Sequence, residues 1–297
     1  AVIPALFNPL FTLYFVRPYH RVTIEKSTDL IKVKVIRLLK EYSLLLLNTA
    51  ITDLLSILAD YSLKGRIFAW PISVVVISNG PCRSISDALC AGLSGFLYVN
   101  MIHSGSLVAL SYWYRLRILG ESGAFGRTKL QFLCFLVFVP HIFHIAGYVS
   151  TVSGRELLEP IVDQYYHDGF ASGFGLIGYV DISELLPCII SSYLVVFPII
   201  ANIYVFWARK KLMSMLDAKK EHMSERSHSS HKSLAKALTI HAIFPIFNMT
   251  CMAILCTAQI NFGLHSKEIE GLAFDLAAVP VLVNPLLTLY FVRPYQV

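Results

Sequence analysis

The residues of this chain that can do chemistry are polar groups stranded in apolar surroundings. Asn48 and Asp53 sit in the run 42–63, and Asn284 precedes Pro285 in the run 271–292. A carboxylate at mid-membrane costs roughly 2.5–3.5 kcal/mol on insertion scales, so Asp53 has to face a bundle interior and find a partner there. It lies about 11 residues from the inner end of its run, roughly 16 Å deep, and Asn284 lies roughly 14 Å deep. At matching depths, Asp53, Asn48 and Asn284 are expected to form a hydrated polar network between two helices. The plainer alternative is a carboxylate neutralised locally and tolerated. With Arg115 and the helix-interrupting Pro245 and Pro285, these residues are the candidates for a conformational switch. Arg115 follows Trp113-Tyr114 at the end of an apolar run. There it either holds helix ends together until a partner protein meets it, or snorkels to the interface.

His103, His141, His144 and Asp275 are further polar groups within apolar runs. His103 and Asp275 are the ligand-binding candidates, although such groups serve equally as helix–helix hydrogen bonds. No spacing suggests catalysis: HExxH, GxSxG and a phosphate loop are all missing from the sequence. The reading is not an enzyme, and no cofactor is implied. His222, His228 and His231 share one loop but lack a cysteine or fixed scaffold for a metal. Of six cysteines, Cys134, Cys251 and Cys256 lie inside apolar runs and read as packing residues. Cys82 and Cys90 can pair with each other, or Cys90 can reach Cys188; spacing does not choose. The triplet Asn248-Met249-Thr250 is a glycosylation pattern placed inside an apolar run, where it goes unused.

The elements that position these groups follow from composition. The chain has 297 residues, 56% hydrophobic and 15% charged, with a mean hydropathy of +0.61. Soluble domains carry about 25% charged residues. The class is therefore a polytopic membrane protein whose surroundings are a lipid bilayer. The net charge of +6 reads as Lys and Arg gathered on one side of the membrane, not as nucleic-acid binding. Long apolar runs span 42–63, 89–114, 130–150, 184–207, 237–260 and 271–292. Each suffices to cross roughly 30 Å of hydrocarbon at about 1.5 Å per residue. A shorter run, Ala1–Val16, comes first. Ile67–Ser78 is apolar but only 12 residues long and broken by Pro71, which suits an interfacial or packed loop. Counted over alternate connections, twenty Lys and Arg fall on one side and five on the other. That asymmetry predicts an all-α fold: a seven-transmembrane helix bundle, N-terminus outside and C-terminus inside. Loop Ala208–Lys236, basic and rich in serine, either continues two helices into the cytoplasm as a docking face or is a solvated loop.

The two ends of the chain nearly repeat each other. Ile3–His20 and Val279–Gln296 agree at 13 of 18 positions, and TLYFVRPY is identical in both. Both copies run outside to inside, whereas transporters often carry inverted repeats.

Five segments carry a more specific likeness: YSLLLLNTAITDLL (Tyr42–Leu55), ISNGPCRSISDALC (Ile77–Cys90), SYWYRLRIL (Ser111–Leu119), KALTIHAIFPIF (Lys236–Phe247) and NPLLTLYFVRPY (Asn284–Tyr295). Together they resemble the nematode serpentine chemoreceptors of class delta over roughly residues 36–297. The resemblance implies a G-protein-coupled receptor of chemosensory neurons. Such a receptor would be a multi-pass plasma-membrane protein of the sensory cilium, detecting an environmental small molecule and coupling to a heterotrimeric G protein. The likeness to rhodopsin-type receptors is looser, because no acidic residue precedes Arg115 and Tyr290 stands five residues after Pro285. Residues 1–35 depart from the family: a copy of the last helix stands where a distinct first helix belongs. This suggests a joined gene segment in 1–35 ahead of a receptor bundle in 36–297. Channel or transporter activity, and a non-functional fused product, are the competing readings.

Overall fold

The computed structural model describes residues 30–120, 125–166, 169–219, 225–272, 274–276 and 279. Asn284, Pro285, the first apolar run and His222 lie outside the described residues. Among the described residues the bounded helices are, in order, α1 (Leu30–Leu63), α2 (Asp87–Leu119), α3 (Arg127–Thr151), α4 (Arg155–Tyr166), α5 (Leu185–Ala218) and α6 (Glu225–Phe262), and residues 267–272 and 274–276 are helical as well. α2, α3, α5 and the part Leu238–Phe262 of α6 are long and apolar enough to cross a membrane. α1, α2, α5 and α6 all outrun the apolar segments that announce them. α5 continues to Ala218 and α6 begins at Glu225, so the basic Ala208–Lys236 stretch is mostly helix.

α2 is the axis of the bundle. It packs on α1, α3, α5 and α6. Of its most apolar stretch, 72% is buried inside the protein, against 17–24% for the other three spans. The others turn Phe132, Phe143, Ile200, Ile203 and Ile254 outward, as lipid-facing helices do.

The fold is not purely helical. β1 (Gly65–Trp70), β2 (Ser73–Ser78) and β3 (Gly175–Tyr179) form an antiparallel sheet in that order across one end of the bundle. Trp70 pairs with Ser73 across a two-residue turn, and Val75 pairs with Gly178. This hairpin is the stretch Ile67–Ser78 that the sequence suggests is loop. Alternate side chains go to opposite faces of a strand, and here both faces are buried. Ile67, Val76 and Ile177 pack toward the bundle with Leu63, Leu97 and Tyr148. Phe68, Val75 and Ile77 pack beneath α4 against Leu158 and Val162. A strand buried on both sides reads as an unbroken apolar run, hence the ambiguity.

Local bonds seat the sheet. Ser78 Oγ donates to the Leu63 carbonyl at 2.5 Å, and Gly80 N donates to the same carbonyl at 3.0 Å. Both satisfy the open C-terminal end of α1. A Cβ at Gly80 would stand 2.1 Å from the Ser62 carbonyl oxygen, so only glycine fits. On α6, Gln259 Nε2 donates to the Ile67 carbonyl at 2.9 Å, and its Oε1 accepts from Ala69 N at 2.7 Å. Beyond β3, Ser153 N donates to Gly178 O at 2.8 Å, and Ser153 Oγ accepts from Val180 N at 3.2 Å.

Cys82 and Cys90 form a disulfide with Cα atoms 5.2 Å apart, and Cys188 is a free, exposed thiol. The bridge ties the short connection after β2 to the first turn of α2. That turn is itself capped by Ser86 Oγ, which accepts from Leu89 N at 3.1 Å. Two outcomes are expected. Maleimide labelling of purified, unreduced protein followed by peptide mass analysis should modify Cys188 and spare Cys82 and Cys90. Gly80→Ala should lower thermal stability by about 1–3 kcal/mol, the usual cost of forcing atoms into a filled site.

Candidate functional site

Polar side chains inside the bundle fall into separate groups. The first lies on the α2–α6 seam at the end away from the sheet. Tyr112 is fully enclosed and donates to the Ala235 carbonyl at 2.6 Å, while Thr239 Oγ1 lies 2.8 Å from its hydroxyl. Nearer the sheet, Ser104 Oγ sits 2.8 Å from His241 Nε2. Val108, Val205, Ala208, Leu212, Leu238 and Ala242 pack around Tyr112, so its hydrogen bonds operate without water. Arg115, the next turn along, is buried to 6% exposure. At the helix ends, Lys219 Nζ donates to the Leu119 carbonyl at 2.8 Å, and Lys232 Nζ pairs with Asp217 Oδ1 at 2.9 Å. A cation on terminal carbonyls is favourable because they carry the negative end of the helix dipole. The ends of α2, α5 and α6 are thus pinned to one another.

Asp53 on α1 is buried. Asn48, a little over one turn away, reaches the Cys134 thiol of α3. Asn284, their expected third partner, lies outside the described residues. Pro245 falls inside α6, which continues through it.

The second group lies between α2, α3 and α5. His141 Nδ1 is 2.9 Å from the Tyr193 hydroxyl and its Nε2 is 3.3 Å from Ser106 Oγ. His144 stacks on Tyr193 with centroids 4.8 Å apart, and His103 meets the Phe138 ring edge-on at 4.8 Å. His103 therefore belongs to the α3 side of α2. Asp275, exposed just after Phe274, faces the charge of Asp60 on α1. The two ligand candidates are in different neighbourhoods and do not share one site.

The third group is in the cap formed by the sheet and its neighbours. Glu270 is fully buried. Its Oε1 accepts a hydrogen bond from the Tyr166 hydroxyl of α4, its Oε2 pairs with Arg66 Nη1 of β1 at 3.5 Å, and His265 Nδ1 is 3.7 Å from Oε1. Arg66 also lies over the Phe170 and Phe174 rings at 5.7 and 5.2 Å. Burial pushes the Glu270 carboxyl above its ordinary range, and Tyr166 and Arg66 pull it back. Burial pushes His265 below its usual value. One carboxylate therefore joins three connections: β1, α4 and the segment after α6.

This arrangement, a bundle with a long central helix, pinned ends on one side and a sealed cap on the other, suits binding and conformational change. Residues 30–297 match the family model described as the serpentine type 7TM GPCR chemoreceptor Srd. The chain belongs to this family. Among Srd relatives from Caenorhabditis elegans, serpentine receptor class delta-3 is 31% identical over 275 residues, covering 90% of this chain and 79% of the relative. Class delta-18 is 30% identical over 265 residues, covering 87% and 77%. Class delta-19 is 29% identical over the same length, with the same shares covered.

Three notable residues of this Srd chain escape a sequence reading. Tyr112 looks like one more aromatic of an apolar helix, although its place three residues before Arg115 is a usable hint. Asn248 reads only as an idle glycosylation triplet. Glu270 has no local signal, since Tyr166 and Arg66 are 104 and 204 positions away. Removing one partner of a buried ion pair costs about 3–5 kcal/mol. Glu270→Ala is expected to lose that much in thermal unfolding of the detergent-purified protein. Glu270→Gln, which can still accept from Tyr166, should fall between it and the parent.

Proposed function

We propose that this chain is a seven-span receptor of the plasma membrane of sensory-neuron cilia. Its N-terminus and sheet-bearing cap lie outside, and the extended ends of α5 and α6 lie in the cytoplasm. It binds an environmental small molecule in the capped half of the bundle and activates a heterotrimeric G protein at the other end. The observation that carries this reading is the Tyr112 hydrogen-bonded seam. It joins the central helix to α6 beside the basic helix ends, where the twenty-to-five asymmetry of Lys and Arg favours the cytoplasm. A ligand that prefers the state with α2 and α6 apart shifts the population toward it. Asn48, Asp53, Arg115, Pro245, Asn284 and Pro285 are the remaining parts of this proposed switch.

The N-terminal 35 residues read as a segment joined from a neighbouring paralogue. The near-copy of Asn284–Tyr295 at Asn8–Tyr19 supports this, while the family match begins at residue 30 and so takes in the last six residues of the stretch. A continuous, abundant transcript across codons 19–35 would overturn it.

Two measurements test the receptor reading. Tyr112→Phe removes the hydroxyl that bonds Ala235, a bond of about 0.5–1.5 kcal/mol, while Thr239 Oγ1 keeps its own bond to that carbonyl at 2.7 Å. Ligand-free signalling in transfected cells is expected to rise about three- to tenfold at equal surface expression. That rise should vanish when the cells' G-protein α subunits are deleted; a signal that survives deletion excludes the coupling. Asp53→Asn is expected to impair surface delivery or signalling, and a variant unchanged in both removes Asp53 from the switch.

A further inference from the structure

A narrow cleft opens between α2 and α6 on the sheet side of the Tyr112 seam. Its walls are Leu97, Tyr98 and Met101 of α2, Asn248, Met249 and Met252 of α6, and Phe274. Asn248 is only 5% exposed, and neither its Nδ2 nor its Oδ1 has a hydrogen-bond partner among the described residues. Leaving a buried polar group unmade costs about 1–3 kcal/mol, so an amide with both ends open needs something to bond. Among the described residues every other wall of the cleft is apolar or aromatic, and none of them carries a charged side chain. An ionised ligand would find nothing among these residues to neutralise it.

We infer that this cleft is a binding site for a small uncharged alcohol. The hydroxyl accepts from Asn248 Nδ2 and donates to Oδ1, and the hydrocarbon lies among Met101, Met249, Met252 and Leu97. A hydroxyl uses both open ends of the amide at one point; an ether or ketone uses only the donor. As it stands the cleft has space for about one water molecule. The three methionines, each unbranched and with three rotatable bonds, can swing aside to admit a larger molecule. Phe274 cannot move freely the other way, because its ring rests on Gly65 with no room there for a Cβ: the added atom would stand 2.6 Å away. Filling the cleft therefore presses α2 and α6 apart above the Ser104–His241 and Tyr112–Ala235 bonds. That consequence rests on the receptor reading, whereas the binding itself does not.

The test uses the purified full chain in lipid nanodiscs, photolabelled with a diazirine-bearing hexanol and mapped by peptide mass spectrometry. Adducts are expected on the peptides carrying Met101 and on those carrying Met249 and Met252. Excess 1-hexanol should compete them away, and dipropyl ether, of similar size, should compete at least tenfold less well. Asn248→Leu replaces an unmade polar group by an apolar one of similar volume, so it should fold at least as stably, yet lose cleft labelling by about tenfold. Met101→Phe, which fills the cleft and leaves the amide in place, should lose it as well. Equal labelling in Asn248→Leu, equal competition by the ether, or adducts confined to the lipid-facing residues of α3 and α5 would overturn the proposal. None of these outcomes depends on signalling, so loss of the alcohol site and loss of the receptor reading are separately visible.

Discussion

Because α2 is the most buried of the long apolar helices, the polar groups on it have to look for partners within the bundle. Most find one, while Asn100 Nδ2 and His103 Nδ1 have no hydrogen-bond partner among the described residues. Water is excluded, and lipid offers no partners. This one constraint places most of what is distinctive in the molecule. Ser94 answers Tyr148, Ser104 answers His241, Ser106 answers His141 and Tyr112 answers Ala235 and Thr239. These bonds fan out to α3 and α6, so the axis is held to its neighbours at several levels by direction-sensitive contacts as well as packing. Packing alone would let an apolar helix rotate or slide at little cost; a hydroxyl committed to one particular partner does not.

The two ends of the bundle are built by different rules. At the cap, main-chain pairing, a disulfide and a buried carboxylate combine three connections into one body. At the opposite end, side-chain bonds add to apolar packing between helices: Lys219 on the end of α2, Lys232 on Asp217, Tyr112 on the backbone of α6. Breaking the cap requires main-chain pairing, a disulfide and a buried carboxylate to fail together, whereas at the other end the described helices are held by apolar packing around Tyr112 together with side-chain bonds and an ion pair.

How much of this is legible in the sequence depends on the range of the interaction. Length and hydropathy place the long helices that carry α1, α2, α3, α5 and α6, since crossing a bilayer demands long apolar runs. They misplace the ends, because the polar extensions of α5 and α6 are helical by propensity and have no apolar pattern. The hairpin is hidden, since Val74–Ile77 is as apolar as a span and only the layer on each side shows it to be sheet. Cys82 with Cys90 is one of two pairings the spacing permits, and the fold of the intervening turn decides between them. Among the candidate residues, Asp53 and Arg115 announce themselves as charges inside apolar runs. Glu270 and Asn248 do not: the first depends on partners far along the chain, the second on having none among the described residues. His103 and Asp275 are individually conspicuous, yet sequence alone cannot tell that one sits beside Phe138 and His141 of α3 and the other near Asp60 of α1.

The bonds that seat the sheet have one more effect. A strand edge with free N–H and C=O groups invites a strand from another molecule. Here the β1 edge is held by the Gln259 amide, and Ser153 engages backbone groups at and just beyond β3. Two such caps meeting in a membrane therefore have few free edge groups to zip together. Their encounters are left to side chains, and three uncharged polar contacts and a serine hydroxyl guard the sheet against cross-β association.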